Sequence, residues 1–284
     1  SEKDIIINAE KYFKNNGKYY LNVENNNTRF LVGSDNQIGL TGDVSDDLLF
    51  GSKDGKDFEQ CDIALQNSID KIAYNGYYFI ALSKNDPTHN TALSYNGIDW
   101  SGVIIDNNTK CNDILWDKDL KKWIVCSSTK LYESYNGYEW SNKFTSTDTL
   151  LCLNKYDNKY YVGGSSSLHK VDINNYNDDN DVTFDDVSLI EVSKDNILLY
   201  SNNTIYKNDL SNNDNDIIFN NISLKAISSN GKIYVAGGKM KSDLSINQLP
   251  IIYSNDGLKW NYANGTKGDS NLYNKNNNYR AQLN

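Results

Sequence analysis

The side chains able to do chemistry in this chain are carboxylates in excess and little else. There are 37 Asp and Glu against 28 Lys and Arg, with two histidines and four cysteines. Ten polar residues gather on three long polar stretches. Asp35, Asn36, Asp43 and Asp46 lie within 34–47, Asp86 and His89 within 83–90, and Lys239, Lys241, Asp243 and Gln248 within 238–250. Acids, amides, lysines and one imidazole suit hydrogen-bonded recognition of a protein or a glycan, and these ten are the candidate ligand-binding residues. Catalysis asks for more. Two facing carboxylates would serve glycoside hydrolysis. The seven glutamates (Glu2, Glu10, Glu24, Glu59, Glu133, Glu139 and Glu191) fall mostly in or beside expected strands and turns, and spacing singles out no pair. No G-x-S-x-G, P-loop or H-E-x-x-H motif occurs. No catalytic residue is assigned.

Metals and cofactors are not expected either. His89 and His169 are too few for most metal-catalysed sites, and His169 reads as a packed or surface residue of a strand. The acidic runs 174–181 and 214–216 have the composition of calcium ligands but lack the EF-hand spacing and its glycine. They read as solvated hairpin tips. Cys61, Cys111, Cys126 and Cys152 form no C-x-x-C pair and sit mostly in expected strands, which points to buried free thiols. A net charge of −9 and a pI near 4.8 lack the basic stripe of a nucleic-acid footprint. No apolar run approaches the length of a membrane span, and the sequence as given shows no signal peptide.

The elements that must position these residues are announced by a phrase of seven that occurs four times. Its key positions are Ser52, Asp54, Gly55 and Phe58; Ser94, Asn96, Gly97 and Trp100; Ser134, Asn136, Gly137 and Trp140; and Ser254, Asp256, Gly257 and Trp260. The aromatic ends lie 42, 40 and 120 residues apart. The last gap holds two degenerate copies, with Phe184 and Phe219 near the aromatic positions, and the period indicates a propeller or solenoid. Each copy suits a tight hairpin. Asp-Gly or Asn-Gly supplies the positive φ of a two-residue turn, Ser and Asp/Asn side chains bond their own turn, and the aromatic closes over neighbouring strands.

These copies resemble the Asp-box (BNR) repeat of sialidase-like and photosystem-assembly-factor-like β-propellers, although Asn96 and Asn136 stand where that repeat has Asp. The resemblance implies four-stranded antiparallel blades, with the box at the hairpin between third and fourth strands, away from the usual binding face. It also implies that sialidase activity would need three arginines. The chain has two, Arg29 and Arg280, so that activity is counted out.

The expected fold is therefore all-β, one propeller domain over 1–284 with seven blades, or six as the alternative. The blades run over about 18–63, 68–105, 112–144, 148–186, 187–221 and 223–262. The seventh joins 265–284 to 1–17, so that terminal strands close the ring and remove exposed edges. The three long loops then fall on one face, and loops on a rigid scaffold are where function concentrates. The expected function is a non-catalytic binding or assembly module for a protein or glycan. A glycan hydrolase with a carboxylate pair in the central funnel, or a structural component of a virion, phage tail or cell-surface assembly, are the alternatives. An extracellular, cell-surface or virion-associated setting suits all three.

Overall fold

The computed structural model describes residues 20–25, 30–34, 49–52, 57, 59–61, 65, 69–83, 89–107, 110–178, 182–193, 196–208, 215–220, 222–240 and 251–263. The chain divides into two compact units, Ser1–Thr145 and Ser146–Asn284. The first unit holds β1 (Tyr20–Asn25), β2 (Phe30–Ser34), β3 (Leu49–Ser52) and β4 (Glu59–Gln60) as one sheet. Its second sheet is β5 (Ile69–Tyr74), β6 (Phe79–Ser83), β7 (Thr91–Ser94) and β8 (Ser101–Val103). Its third is β9 (Cys111–Asp117), β10 (Lys122–Ser127), β11 (Lys130–Ser134) and β12 (Ser141–Thr145). The second unit continues with β13 (Leu150–Tyr156), β14 (Lys159–Gly164), β15 (Ser167–Asp172) and β16 (Val182–Thr183). Then follow β17 (Val187–Val192), β18 (Ile197–Ser201), β19 (Thr204–Asn208) and β20 (Asn215–Phe219). Last come β21 (Ile222–Ser229), β22 (Tyr234–Met240), β23 (Ile251–Ser254) and β24 (Asn261–Tyr262).

Each sheet is an antiparallel meander in chain order, as expected of propeller blades. The blade number departs from expectation. The ladders give six four-stranded sheets among the described residues, while counting complete propeller blades gives five, neither seven nor six. Three of the six sheets close on outer strands of only two residues, β4, β16 and β24. The expected seventh blade, 265–284 with 1–17, lies outside the described residues, and so does its ring closure.

Second strands carry the core, because both their faces are covered. In β6, Phe79 and Ala81 pack with Leu49, Cys61, Ile69 and Trp100 against the first sheet. Ile80 and Leu82 point the other way and join Tyr78 of their own sheet and Ile114, Trp123 and Val125 of the next. β18 repeats the device: Ile197 and Leu199 pack with Cys152, Leu168 and Val187. Leu198 and Tyr200 pack with Leu224, Tyr234 and Ile252. A strand buried on both faces reads as a continuous apolar run, and successive residues of opposite orientation stitch successive sheets together. All four cysteines are buried and none forms a disulfide.

A second internal repeat is visible only in the backbone. Every first strand carries a β-bulge, one residue in at Tyr20/Asn22, Ile69/Lys71, Cys111/Asp113, Leu150/Cys152 and Val187/Leu189, and three residues in at Leu224/Ala226 of the longer β21. The residues opposite the bulge start are Ser34, Ser83, Ser127, Gly164, Ser201 and Gly238. All six are small. At Gly164 an added Cβ would lie 2.1 Å from Asp148 Oδ2, and at Gly238 one would lie 2.2 Å from the Ser223 carbonyl oxygen. The bulge bends the strand locally, and the small residue makes room there, for Asp148 of the preceding link at Gly164 and for the backbone of β21 at Gly238.

The seven-residue phrases form the connections between third and fourth strands, but not as two-residue turns. The ladder stops at Leu93↔Ser101 and Glu133↔Ser141, so the whole phrase loops out between paired strands. Only the glycine is left-handed (φ 71°, 77° and 74° at Gly97, Gly137 and Gly257). A two-residue I′ turn would need two such residues. The polar side chains replace the missing ladder instead. Ser94 and Ser134 Oγ each accept the Gly N–H at 2.8 Å. Asn96, Asn136 and Asp256 Oδ1 each accept two amide N–H groups at 2.8–2.9 Å. The closing indoles of Trp140 and Trp260 donate to Gly137 and Gly257 carbonyls at 3.0 and 3.1 Å. At Gly97 that carbonyl accepts the Cys61 thiol at 3.1 Å instead. Of the first copy, Ser52 ends β3 buried, while Asp54, Gly55 and Phe58 lie outside the described residues.

Within the third sheet, Lys122 and Glu133 form an ion pair at 2.7 Å with side chains 5% and 7% exposed. Lys143 reaches the other Glu133 oxygen at 3.4 Å. Stranding a buried charge costs about 3–5 kcal/mol, and the retained Lys143 should reduce this. Lys122→Met is expected to lose about 2 kcal/mol in denaturant unfolding, and Lys122→Met/Glu133→Leu much less. A double variant as unstable as the single would show that the charge pair is not what the residues contribute.

Candidate functional site

Among the described residues, the turns between second and third strands lie at the same end of a sheet as the links that lead into the next sheet. Two polar nodes are built at this end, one in each unit. In the first unit, Asp106 sits in the link between β8 and β9. Its Oδ2 accepts Lys130 Nζ at 3.0 Å and the hydroxyl of Tyr132 from β11. The hydrogen bond from Tyr132, then that from Lys130, holds the Asp106 carboxyl below the usual carboxylate range. Burial, then Asp106, pushes the Tyr132 hydroxyl up. Asn90 ties the same link down, donating to the Asp106 carbonyl at 3.1 Å and accepting the Ile105 N–H at 3.0 Å.

In the second unit, Asp148 in the link before β13 accepts Ser166 N–H at 3.0 Å, and Ser167 N–H and Oγ both at 2.9 Å. Ser165 Oγ donates to its other oxygen. Burial opposes the charge, but the bonds from Ser165, Ser166 and Ser167 prevail and lower the carboxyl to about 2. A depressed carboxylate stabilises the fold above its ordinary range and loses that contribution as pH falls through the folded value. Asp148→Asn is therefore expected to lose about 1 kcal/mol near neutrality, with the gap closing in strong acid. A gap constant with pH, in melts run across the acid range, would contradict this.

Beside it, His169 of β15 stands between two partners. Its Nδ1 lies 2.6 Å from Asp178 Oδ2 and its Nε2 lies 3.2 Å from Ser146 Oγ. Asp, His and Ser in that order are the relay that activates a serine for acyl transfer. The neighbouring sheets supply a different reading. Tyr132, His169 and Tyr206 are each the third residue of a third strand, and each reaches back to the link before its own sheet. Tyr132 meets Asp106, His169 meets Ser146, and the ring of Tyr206 meets Phe184 edge-on at 4.9 Å. Three chemistries perform one task, latching third strand to link. His169 is only 2% exposed, and Ser146 Oγ already accepts the Asp148 N–H at 2.9 Å. The relay is a latch. Of the two expectations for His169, packed or on the surface of its strand, the structure shows the packed one, whereas its partners Ser146 and Asp178 had no motif to reveal them.

Of the ten candidate residues, Asp35, Asn36, Asp43, Asp46, Asp86, Lys241, Asp243 and Gln248 lie outside the described residues. His89 is half-buried and lies over Gly102, where an added Cβ would come 2.6 Å from its Cδ2. Lys239 is corrected: it belongs to β22, paired with Ser223, because the ladder with β21 runs on through Met240 rather than ending where the loop was expected. In the polar run 174–181, Asp172 Oδ1 accepts the Asn174 and Asn175 N–H groups, and Asp178 folds back on His169 and the Lys170 N–H. Among the described residues no three His, Cys, Asp or Glu gather as a metal site. One acid stands apart. Burial pushes Glu191 of β17 up to about 8 against a weaker hydrogen bond from the Ser229 backbone.

No family model matches the chain, and no curated protein matches its sequence. Solved structures do resemble it. The extracellular domain of the putative hybrid two component system BT4673 from B. thetaiotaomicron aligns at TM-score 0.61 and 13% identity. That alignment covers 86% of this chain and 33% of that one. The Neurospora crassa Pan2 WD40 domain aligns at TM-score 0.57 and 9% identity, over 84% of this chain and 76% of that one. The WD40 β-propeller domain of Doa1 aligns at 0.54 and 14% identity, over 87% and 77%. At such identities the likeness shows the fold, a β-propeller of four-stranded antiparallel sheets, and nothing finer.

Proposed function

We propose that the chain is a non-catalytic binding or assembly module, presenting the link-bearing end of its blades to a protein or glycan partner. The observation that carries this reading is how the polar groups at that end are engaged. Asp106 and Asp148 of the links are bonded to the turn or strand beside them, and His169 of β15 is bonded to Ser146 of its link. Such bonds make a rigid platform for loops rather than a reactive centre, and rigidity lowers the entropic cost of binding. The ten residues from 34–47, 83–90 and 238–250 are the proposed contacts. The hairpin geometry of the seven-residue phrase supports placing the chain with Asp-box (BNR) propellers, and 1–284 is proposed as one domain. A single cooperative transition in calorimetry is expected for that domain; two separate transitions would divide the chain.

The test is binding by the intact chain on a glycan array and in co-purification, beside Asp43→Lys/Lys241→Glu and Lys130→Ala. A partner whose affinity falls at least about tenfold in a variant of unchanged melting temperature supports the assignment. Full binding by both variants removes this end of the blades from consideration.

A further inference from the structure

The other end of the blades carries a surface that the reading above does not use. Among the exposed large apolar residues of the first unit, Tyr77, Tyr95, Tyr135 and Tyr138 are 79%, 64%, 67% and 44% exposed. All four sit at the end bearing the seven-residue phrases, in the turns of the second and third sheets. These turns are stiff. Asn75 Oδ1 accepts the Tyr77 and Tyr78 N–H groups at 2.9 Å, and Asn96 and Asn136 cap the other two turns as described. Two of the rings, Tyr95 and Tyr138, also gather around Tyr78. Tyr95 lies 5.4 Å from Tyr78, burial and then the Tyr95 hydroxyl push the Tyr138 hydroxyl up, and Tyr78 Oη accepts the buried Trp123 indole at 2.9 Å. Exposed aromatics on capped turns offer large contact area with little entropy left to lose.

The phrase itself does not require these side chains. Asn255 and Leu258 stand in the sixth sheet where Tyr95 or Tyr135 and Tyr138 stand here, and Asp256 keeps the same turn bonds. The charge differs in step. The second and third sheets carry Asp99 and Glu139 where the sixth carries Lys259. Neither phrase in the second or third sheet, nor the turn 75–78, contains a Lys or Arg. Tyrosine faces rimmed by carboxylates attract cations, and a chain of net charge −9 draws them in from a distance.

We propose that this end of the second and third sheets docks a cationic segment of a partner protein. Its Lys or Arg side chains lie over Tyr77, Tyr95 and Tyr138, with Asp99 and Glu139 at the rim. The site is at the opposite end of the second and third sheets from the link that holds Asp106, and it stands or falls without the contacts proposed above.

The experiment titrates the intact chain into fluorescein-labelled hexalysine and hexaarginine peptides, read by anisotropy. The variants import what the sixth sheet carries, so the turn is retained: Tyr95→Asn/Tyr138→Leu and Asp99→Lys/Glu139→Lys. Asp185→Lys/Asp216→Lys, at exposed positions of the second unit, makes the same charge change elsewhere. Both site variants are expected to weaken binding about tenfold. The control should change it less than about twofold, and wild-type binding should fall steeply as salt approaches about 0.5 M. Absence of peptide binding overturns the proposal, as does equal weakening by the control, which would mean diffuse attraction to an acidic surface. An uncharged glycan bound by wild type and by the lysine variant, but lost with the tyrosines, would overturn it in favour of a sugar platform.

Discussion

Replacing Gly137 by Val is expected to lower the melting temperature by about 10 °C, through two effects that the structure separates. The first is local: φ is +77°, a conformation that costs a β-branched residue about 1–2 kcal/mol. The second is packing. An added Cβ would lie 2.7 Å from Leu93 Cδ1 and 3.2 Å from both Ile80 Cδ1 and Tyr78 Cε2, so the turn of the third sheet would press on the second. Overpacking of this kind costs about 1–3 kcal/mol. The sum, about 3 kcal/mol or more, converts at roughly 3 °C per kcal/mol for a chain of this size. Gly76→Ala is the control. There φ is +95° with nothing within 4 Å, so only the local strain applies, and about 1 kcal/mol is expected. Equal losses would deny the contact with Leu93. No loss at Gly137 would deny the left-handed turn itself.

The same glycine shows how much of the molecule could be read from the sequence. Local chemistry was legible, since Ser, Asx and Gly in fixed spacing specify their own hydrogen bonds. The strands follow the phase those turns set, but Phe184 and Phe219 do not take the aromatic position of the phrase: Phe184 follows β16 in the link and Phe219 ends β20, whereas Trp140 and Trp260 precede their fourth strands. What the sequence hid depends on contacts distant in the chain. The bulge of every first strand has no residue signature of its own. Its small partner shows in the sequence only as Ser34, Ser83, Ser127, Gly164 and Ser201 at the ends of second strands and Gly238 two residues before the end of one, a signal that exists once the register is known. The latch is harder still, because Tyr132, His169 and Tyr206 fill one position with unlike chemistry. Blade number, too, is a property of how sheets assemble, and a repeat of about 40 residues leaves it open.

Glu191 gives the second large effect, and it is one of sign. Its folded-state value, about 8, lies above the ordinary 4.5, so between those values the native state holds a proton that the unfolded chain has released. Stability must then fall as pH rises through this window. Each unit of separation is worth about 1.4 kcal/mol, and the full span sets a ceiling of about 5 kcal/mol. Glu191 is half-buried rather than sealed, so water relieves part of the cost and about 3 kcal/mol is the expected change. Glu191→Gln keeps the shape and removes the titration. It should match wild type near pH 5 and exceed it by about 3 kcal/mol near pH 9, with most of the divergence between. Denaturant unfolding at a series of pH values reads this directly. The result also bears on the hydrolase alternative, since a carboxyl still protonated near neutrality is what a general acid requires. A difference that stays flat with pH would mean that Glu191 titrates like any exposed glutamate, and the alternative would lose the one described acid suited to that role.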